Sequence, residues 1–60
     1  MKFAYIVKIH AGCFNDVVVS MKPTVQGAVA DGLRHYRKTA LRPNEMRPEI
    51  HVEPTVVVGP

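Results

Sequence analysis

Apolar and polar positions alternate from the start of the chain. Between residues 3 and 10, Phe3, Tyr5, Val7 and Ile9 fall on one side, with Ala4, Ile6, Lys8 and His10 on the other. This two-residue period predicts a strand with one face turned to a core. Ala11-Gly12 follows, and Gly12 can adopt the positive φ that a tight turn requires. A second β-rich run extends from Phe14 to Met21 around Val17-Val18-Val19. The two runs predict a β-hairpin, in which Asn15-Asp16 could bulge the second strand or lengthen the turn.

After Pro23 the period changes. Thr24 is an N-cap candidate, because its hydroxyl can accept from a free N–H of a first helical turn. No Glu or Gln follows three residues on, so a capping box is absent. Val25, Ala28, Val29, Leu33, Tyr36 and Ala40 recur at steps of three and four and share one helical face. Gly27 and Gly32 each weaken a helix by about 1 kcal/mol relative to Ala. Gly32 lies on the apolar stripe, where it lets the helix approach a sheet. Pro43 ends the helix near residues 39–42, and 43–48 form a loop. Alternation then resumes over Glu49 to Glu53, with Ile50 and Val52 opposed to Glu49, His51 and Glu53. Pro54 cannot donate to a ladder and marks an edge or a bulge, beyond which Thr55 to Val58 continue the strand.

The order is β-β-α-β in one small domain spanning residues 1–60. The fold class is α+β: a three-stranded antiparallel sheet of order 2-1-3 with one helix packed on one face. The third strand reaches its place beside the first by a right-handed crossover. The other sheet face is bare. Val29, Leu33 and Tyr36 are expected to be buried under the helix.

Sixty residues hide only about 60% of the unfolded surface, which makes stability marginal. Cys13 is the sole cysteine, so no internal disulfide forms. The spacing His10-Ala-Gly-Cys13 lacks the paired ligands of a zinc site, and neither a metal nor another cofactor is expected. His10 and Cys13 also make a weak thiolate–imidazole candidate. Paired carboxylates, a glycine-rich phosphate loop and a serine elbow are all missing, which argues against an enzyme. Lys8 interrupts the first apolar run with no cleavage site after it, and no run is long enough to cross a bilayer. The expectation is a soluble cytoplasmic protein without membrane contact.

Charge directs attention to one segment. The formal net charge is +3, and "RHYRKTALRPNEMR" holds five of the eight Lys and Arg residues against one carboxylate, Glu45. Arg34, Lys38 and Arg42 fall at i, i+4 and i+8, opposite the apolar stripe, with Arg37 on the flank and Arg47 in the loop. Cations near a helix C-terminus complement its dipole. Asp31 is the only acid on this helix, however, and a one-sided strip suits phosphates or an acidic protein surface. Tyr36 belongs to the apolar stripe and is core, not a platform for stacked bases. His51 and Glu53 extend the candidate contact along the third strand. The edge ending in Val56-Val57-Val58 could add a strand from a partner or a second copy, giving a homodimer.

The segments "KFAYIVK", "FNDVVVSMKPTVQGAVADGLRHYR" and "EIHVEPTVVVGP" together resemble the small podophage inhibitor of host bacterial RNA polymerase. The likeness covers nearly the whole chain: hairpin, one helix, third strand, and a Val-x-Pro-x-Val tail at residues 52–56. It implies a phage protein that docks on the jaw of the polymerase and hinders promoter-complex formation, with RNA polymerase as first partner. The family sets third-strand arginines against acidic polymerase residues; His51 and Glu53 stand at those positions. The family's helix also presents an acidic strip, where this one carries Arg34, Lys38 and Arg42. The opening "MKFAYIVK" is similar to short phage anti-CRISPR proteins. The hairpin-then-helix order is similar to antitoxins of the HicA–HicB type, without their Asp-Leu-Pro-Gly-Cys turn. A nucleic-acid binder using Arg34, Arg37, Lys38, Arg42 and Arg47 is the alternative of a different class.

Overall fold

The computed structural model describes residues 2–58. Strands β1 (Lys2–Ala11) and β2 (Phe14–Ser20) precede helix α1 (Val25–Thr39) and strand β3 (Glu49–Val57). The three strands form one antiparallel sheet of order β2-β1-β3, with the helix against one face. This is the α+β fold expected from the alternation.

Gly12 has φ of 59°, and no other described residue takes a positive value. That sign pattern belongs to a two-residue type II′ turn, whose twist matches its flanking strands. From Ala11 opposite Phe14 to Tyr5 opposite Ser20 the register is unbroken, so Asn15-Asp16 does not bulge. The β1–β3 register is equally continuous, from His10 opposite Glu49 to Lys2 opposite Val57, and passes through Pro54. The hairpin makes Ala11 and Phe14 a hydrogen-bonded pair. Alternation from there turns Tyr5 toward β2, so Pro54, opposite Tyr5, faces away from β1. Its missing N–H removes no ladder bond.

The core is small. Val7, Ile9, Ala11, Ala28 and Tyr36 are buried, with Tyr5, Phe14, Val18, Ala40, Ile50 and Val52 packed around them. Thr24 caps the helix as expected, its hydroxyl accepting from the Gly27 N–H at 3.0 Å. The buried helical line is Ala28, Gly32 and Tyr36. Of the three residues expected beneath the helix, Tyr36 is buried while Val29 and Leu33 are only half-buried. Gly32 accounts for the difference. A Cβ there would lie 2.7 Å from Val7 Cγ1, so the backbone itself rests on the central strand. The larger side chains are displaced to its flanks.

The helix closes with the Ala40 N–H donating to the Tyr36 carbonyl at 2.9 Å, and Ala40 itself is extended. Ten residues of β1 reach about 33 Å, whereas fifteen helical residues reach about 22 Å. The sheet therefore overhangs its cover. Phe3, expected in the core, is 79% exposed beside Val56 on this uncovered stretch. The opposite sheet face, bearing Ile6, Lys8, Val17, Val19, His51 and Glu53, has no second layer among the described residues.

Candidate functional site

The basic side chains expected to form one strip divide into separate environments. Arg34, Arg37 and Lys38 are exposed on α1. Arg34 is tethered: its Nη1 lies 3.0 Å from Asp31 Oδ1. Asp31 Oδ2 accepts from the buried Ser20 hydroxyl at 2.7 Å, which fastens the helix to the end of β2. That hydrogen bond, aided by the charges of Lys22 and Arg34, holds the Asp31 carboxyl below its ordinary value.

Arg42 does not continue the Arg34–Lys38 line. The helix ends at Thr39, and Arg42 stands in the following loop with Nη1 3.6 Å from Glu45 Oε2. The physical reason is local. Leu41 is 99% exposed, so a further turn would have no apolar surface to cover. Arg42 also precedes Pro43, which disfavours the helical conformation there.

Arg37, Lys38 and Arg47 make no ion pair among the described residues. Arg37, from the helix, and Arg47, from the loop, line one groove of about 510 Å³ together with Leu33, Tyr36 and Met46. Pro43 and Pro48 lie along the same groove. The loop is held in place by the Tyr36 hydroxyl, which donates to the Met46 carbonyl at 3.2 Å. The Tyr36 ring is fixed in turn by an edge-to-face contact with Phe14, centroids 5.2 Å apart. The result is a trough of mixed polarity lined by two arginines.

His51 and Glu53 lie elsewhere. Both are on the uncovered face of the sheet, where Glu53 Oε1 meets Lys8 Nζ at 3.2 Å and His51 is opposite Lys8 in register. They cannot share a contact patch with the groove on the helix side. Leu33, Met46, Pro43 and Pro48 were missed as site residues. The signal available was two prolines bracketing an apolar Met and an Arg.

Two further polar contacts organise the β2 flank. His35 Nε2 contacts Asp16 Oδ2 at 2.5 Å, and Asp16 Oδ1 accepts from the Val17 N–H at 2.9 Å. The His35 hydrogen bond is the chief cause that holds the Asp16 carboxyl below its ordinary value. His10 Nδ1 is engaged by Asn15 Oδ1, and Cys13 is exposed at the hairpin tip. Among the described residues no group of three or more His, Cys, Asp or Glu is placed to hold a metal ion. Nor is any described helix long and apolar enough to cross a membrane. No protein-family model, curated protein or solved structure matches the chain.

Proposed function

We propose that this chain is a non-enzymatic docking module that captures an acidic segment of a partner protein in the Arg37–Arg47 groove. The observation that carries this reading is that two arginines, neither engaged by a carboxylate of its own chain among the described residues, line one groove with Leu33, Tyr36 and Met46. Arginine suits such a place because its planar fork binds carboxylates in bidentate fashion. The apolar floor favours an aliphatic or aromatic neighbour of the bound acid. Opposite charges across such a contact set register and reject wrong partners. Two arginines beside apolar side chains suit a peptide better than a run of phosphates, which needs cations spaced along an open track.

The sequence resemblance and the hairpin–helix–strand order make host bacterial RNA polymerase the first candidate partner, with the module acting as a phage-encoded transcription inhibitor in the host cytoplasm. The test combines capture of purified polymerase with an in-vitro transcription assay, using the wild type and Arg37→Glu/Arg47→Glu. Both side chains are exposed, so the double variant keeps its fold. The wild type binds and inhibits, and the variant does neither. Failure of the wild type to bind or inhibit, or unchanged inhibition by the variant, overturns the reading. If the wild type instead retards any DNA, steeply weakened by salt and abolished by the double reversal, a phosphate-binding function replaces it.

A further inference from the structure

The two outer edges of the sheet differ in kind. The β3 edge carries Pro54 within the strand and Glu49, His51 and Glu53 along it, features that discourage a second chain from pairing. The β2 edge is less guarded, with Asp16 its one ionic side chain. Its seven residues contain no proline and no basic residue, its register is unbroken, and Val17-Val18-Val19 occupies its centre. The hairpin turns the backbone groups of Phe14, Asp16, Val18 and Ser20 toward β1, leaving those of Asn15, Val17 and Val19 pointing outward. The Val17 N–H, received only by the neighbouring Asp16 carboxylate, conforms to this assignment.

We propose that β2 pairs antiparallel with β2 of a second copy of this chain, about a two-fold axis at Val18, forming a continuous six-stranded sheet. In this register the strand is complementary to itself. With Val18 facing its own counterpart, Val17 of each copy lies opposite Val19 of the other. Both positions point outward, so each such pair exchanges two backbone hydrogen bonds. A slip of one residue would set outward groups against inward ones and form none. Asp16, the only ionic side chain on the strand, falls opposite Ser20 of the other copy and not opposite its own counterpart. On the uncovered face Val17 and Val19, 57% and 56% exposed, become a four-valine cluster shared by the two copies. Asp31 and His35 mark the helix flank that reaches β2. Leu33 and Arg37 lie on the other flank, so the Arg37–Arg47 groove remains open in the dimer.

Sedimentation equilibrium of the wild type, Val17→Lys/Val19→Lys and Val17→Lys/Val19→Glu tests the pairing and its register together, with circular dichroism verifying each fold. The wild type sediments at twice the 6.7 kDa chain mass. The Lys/Lys variant places lysine against lysine twice and sediments at the single-chain mass. The Lys/Glu variant places lysine against glutamate twice and regains the doubled mass. A wild type of single-chain mass at millimolar concentration, a doubled Lys/Lys variant, or a correctly folded Lys/Glu variant of single-chain mass would each overturn the proposal. Hydrogen exchange needs no variant: the Val19 amide slows as wild-type concentration rises, and concentration-independent exchange overturns the proposal equally.

Discussion

Replacing Gly32 by Ala sets two effects of known size against each other. Alanine gains about 1 kcal/mol of helix propensity over glycine. Against this, the added Cβ would sit 2.7 Å from Val7 Cγ1, closer than real Cβ atoms come to any neighbour, while Ile9 Cδ1 and Cγ1 stay at ordinary contact distances of 3.7 and 3.8 Å. Val7 has no exposed surface and occupies the central strand between β2 and β3. Its branched side chain is stiff at χ1 and cannot swing aside. Overpacking costs about 1–3 kcal/mol, and a 2.7 Å approach to a stiff, fully buried neighbour belongs in the upper part of that range, about 2–3 kcal/mol, so the clash prevails and Gly32→Ala destabilises by about 1–2 kcal/mol net. For a domain this small each kcal/mol moves Tm by about 4–8 °C, giving a fall of roughly 5–15 °C. Thermal unfolding followed by circular dichroism, across the cycle wild type, Gly32→Ala, Val7→Ala and both, isolates the contact. In the Val7→Ala background the offending atom is gone, and Gly32→Ala becomes neutral or stabilising by up to about 1 kcal/mol. A Tm for Gly32→Ala equal to or above wild type, or the same shift in both backgrounds, refutes the close-approach reasoning.

Acid should loosen the β2 flank. The Asp16 and Asp31 carboxyls sit below 3.8 in the fold and return to it on unfolding. Their contribution is complete above that value and is lost as pH falls through the lower folded values. Urea midpoints of the wild type should therefore drop below about pH 4, and Asp31→Asn should flatten that acid limb. Thr24→Ala should cost about 1 kcal/mol by freeing the Gly27 N–H at the first turn, read as a lower urea midpoint with an unchanged slope. Tyr36→Phe should cost about 1 kcal/mol by leaving the Met46 carbonyl without its donor. It should also speed hydrogen exchange across residues 42–47, since that bond anchors the groove loop to the helix.

The strands and their order were legible because alternation is local: Tyr5, Val7 and Ile9 declare a face without reference to anything distant. Thr24 and Gly12 were legible for the same reason, each being required by the backbone at its own position. Helical period located the stripe but not its centre. It ranks Leu33 above Gly32 by hydrophobicity, whereas the closeness of the helix to Val7 reverses that order. Period likewise carried Arg42 onto a helix that stops at Thr39, because it cannot register that Leu41 has nothing to cover. The groove was the least legible feature. Arg37 and Arg47 line one groove because the Tyr36 hydroxyl reaches the Met46 carbonyl across the loop, a contact between residues whose types alone do not announce it.

The central place of β1 has a consequence for how the chain is made. One side of β1 is bonded to β2, which follows it at once; the other waits for β3, where Lys2 meets Val57. A nascent chain that has reached the end of the helix holds the hairpin and α1 but lacks the third strand, and with it Ile50 and Val52 to complete the core. Because closing that long loop must precede its rewarding contacts, the domain completes its sheet only once β3 is available. It passes to the native state after residues 49–57 are released, and until then the Val17-Val18-Val19 edge is open to proteases and to neighbouring chains.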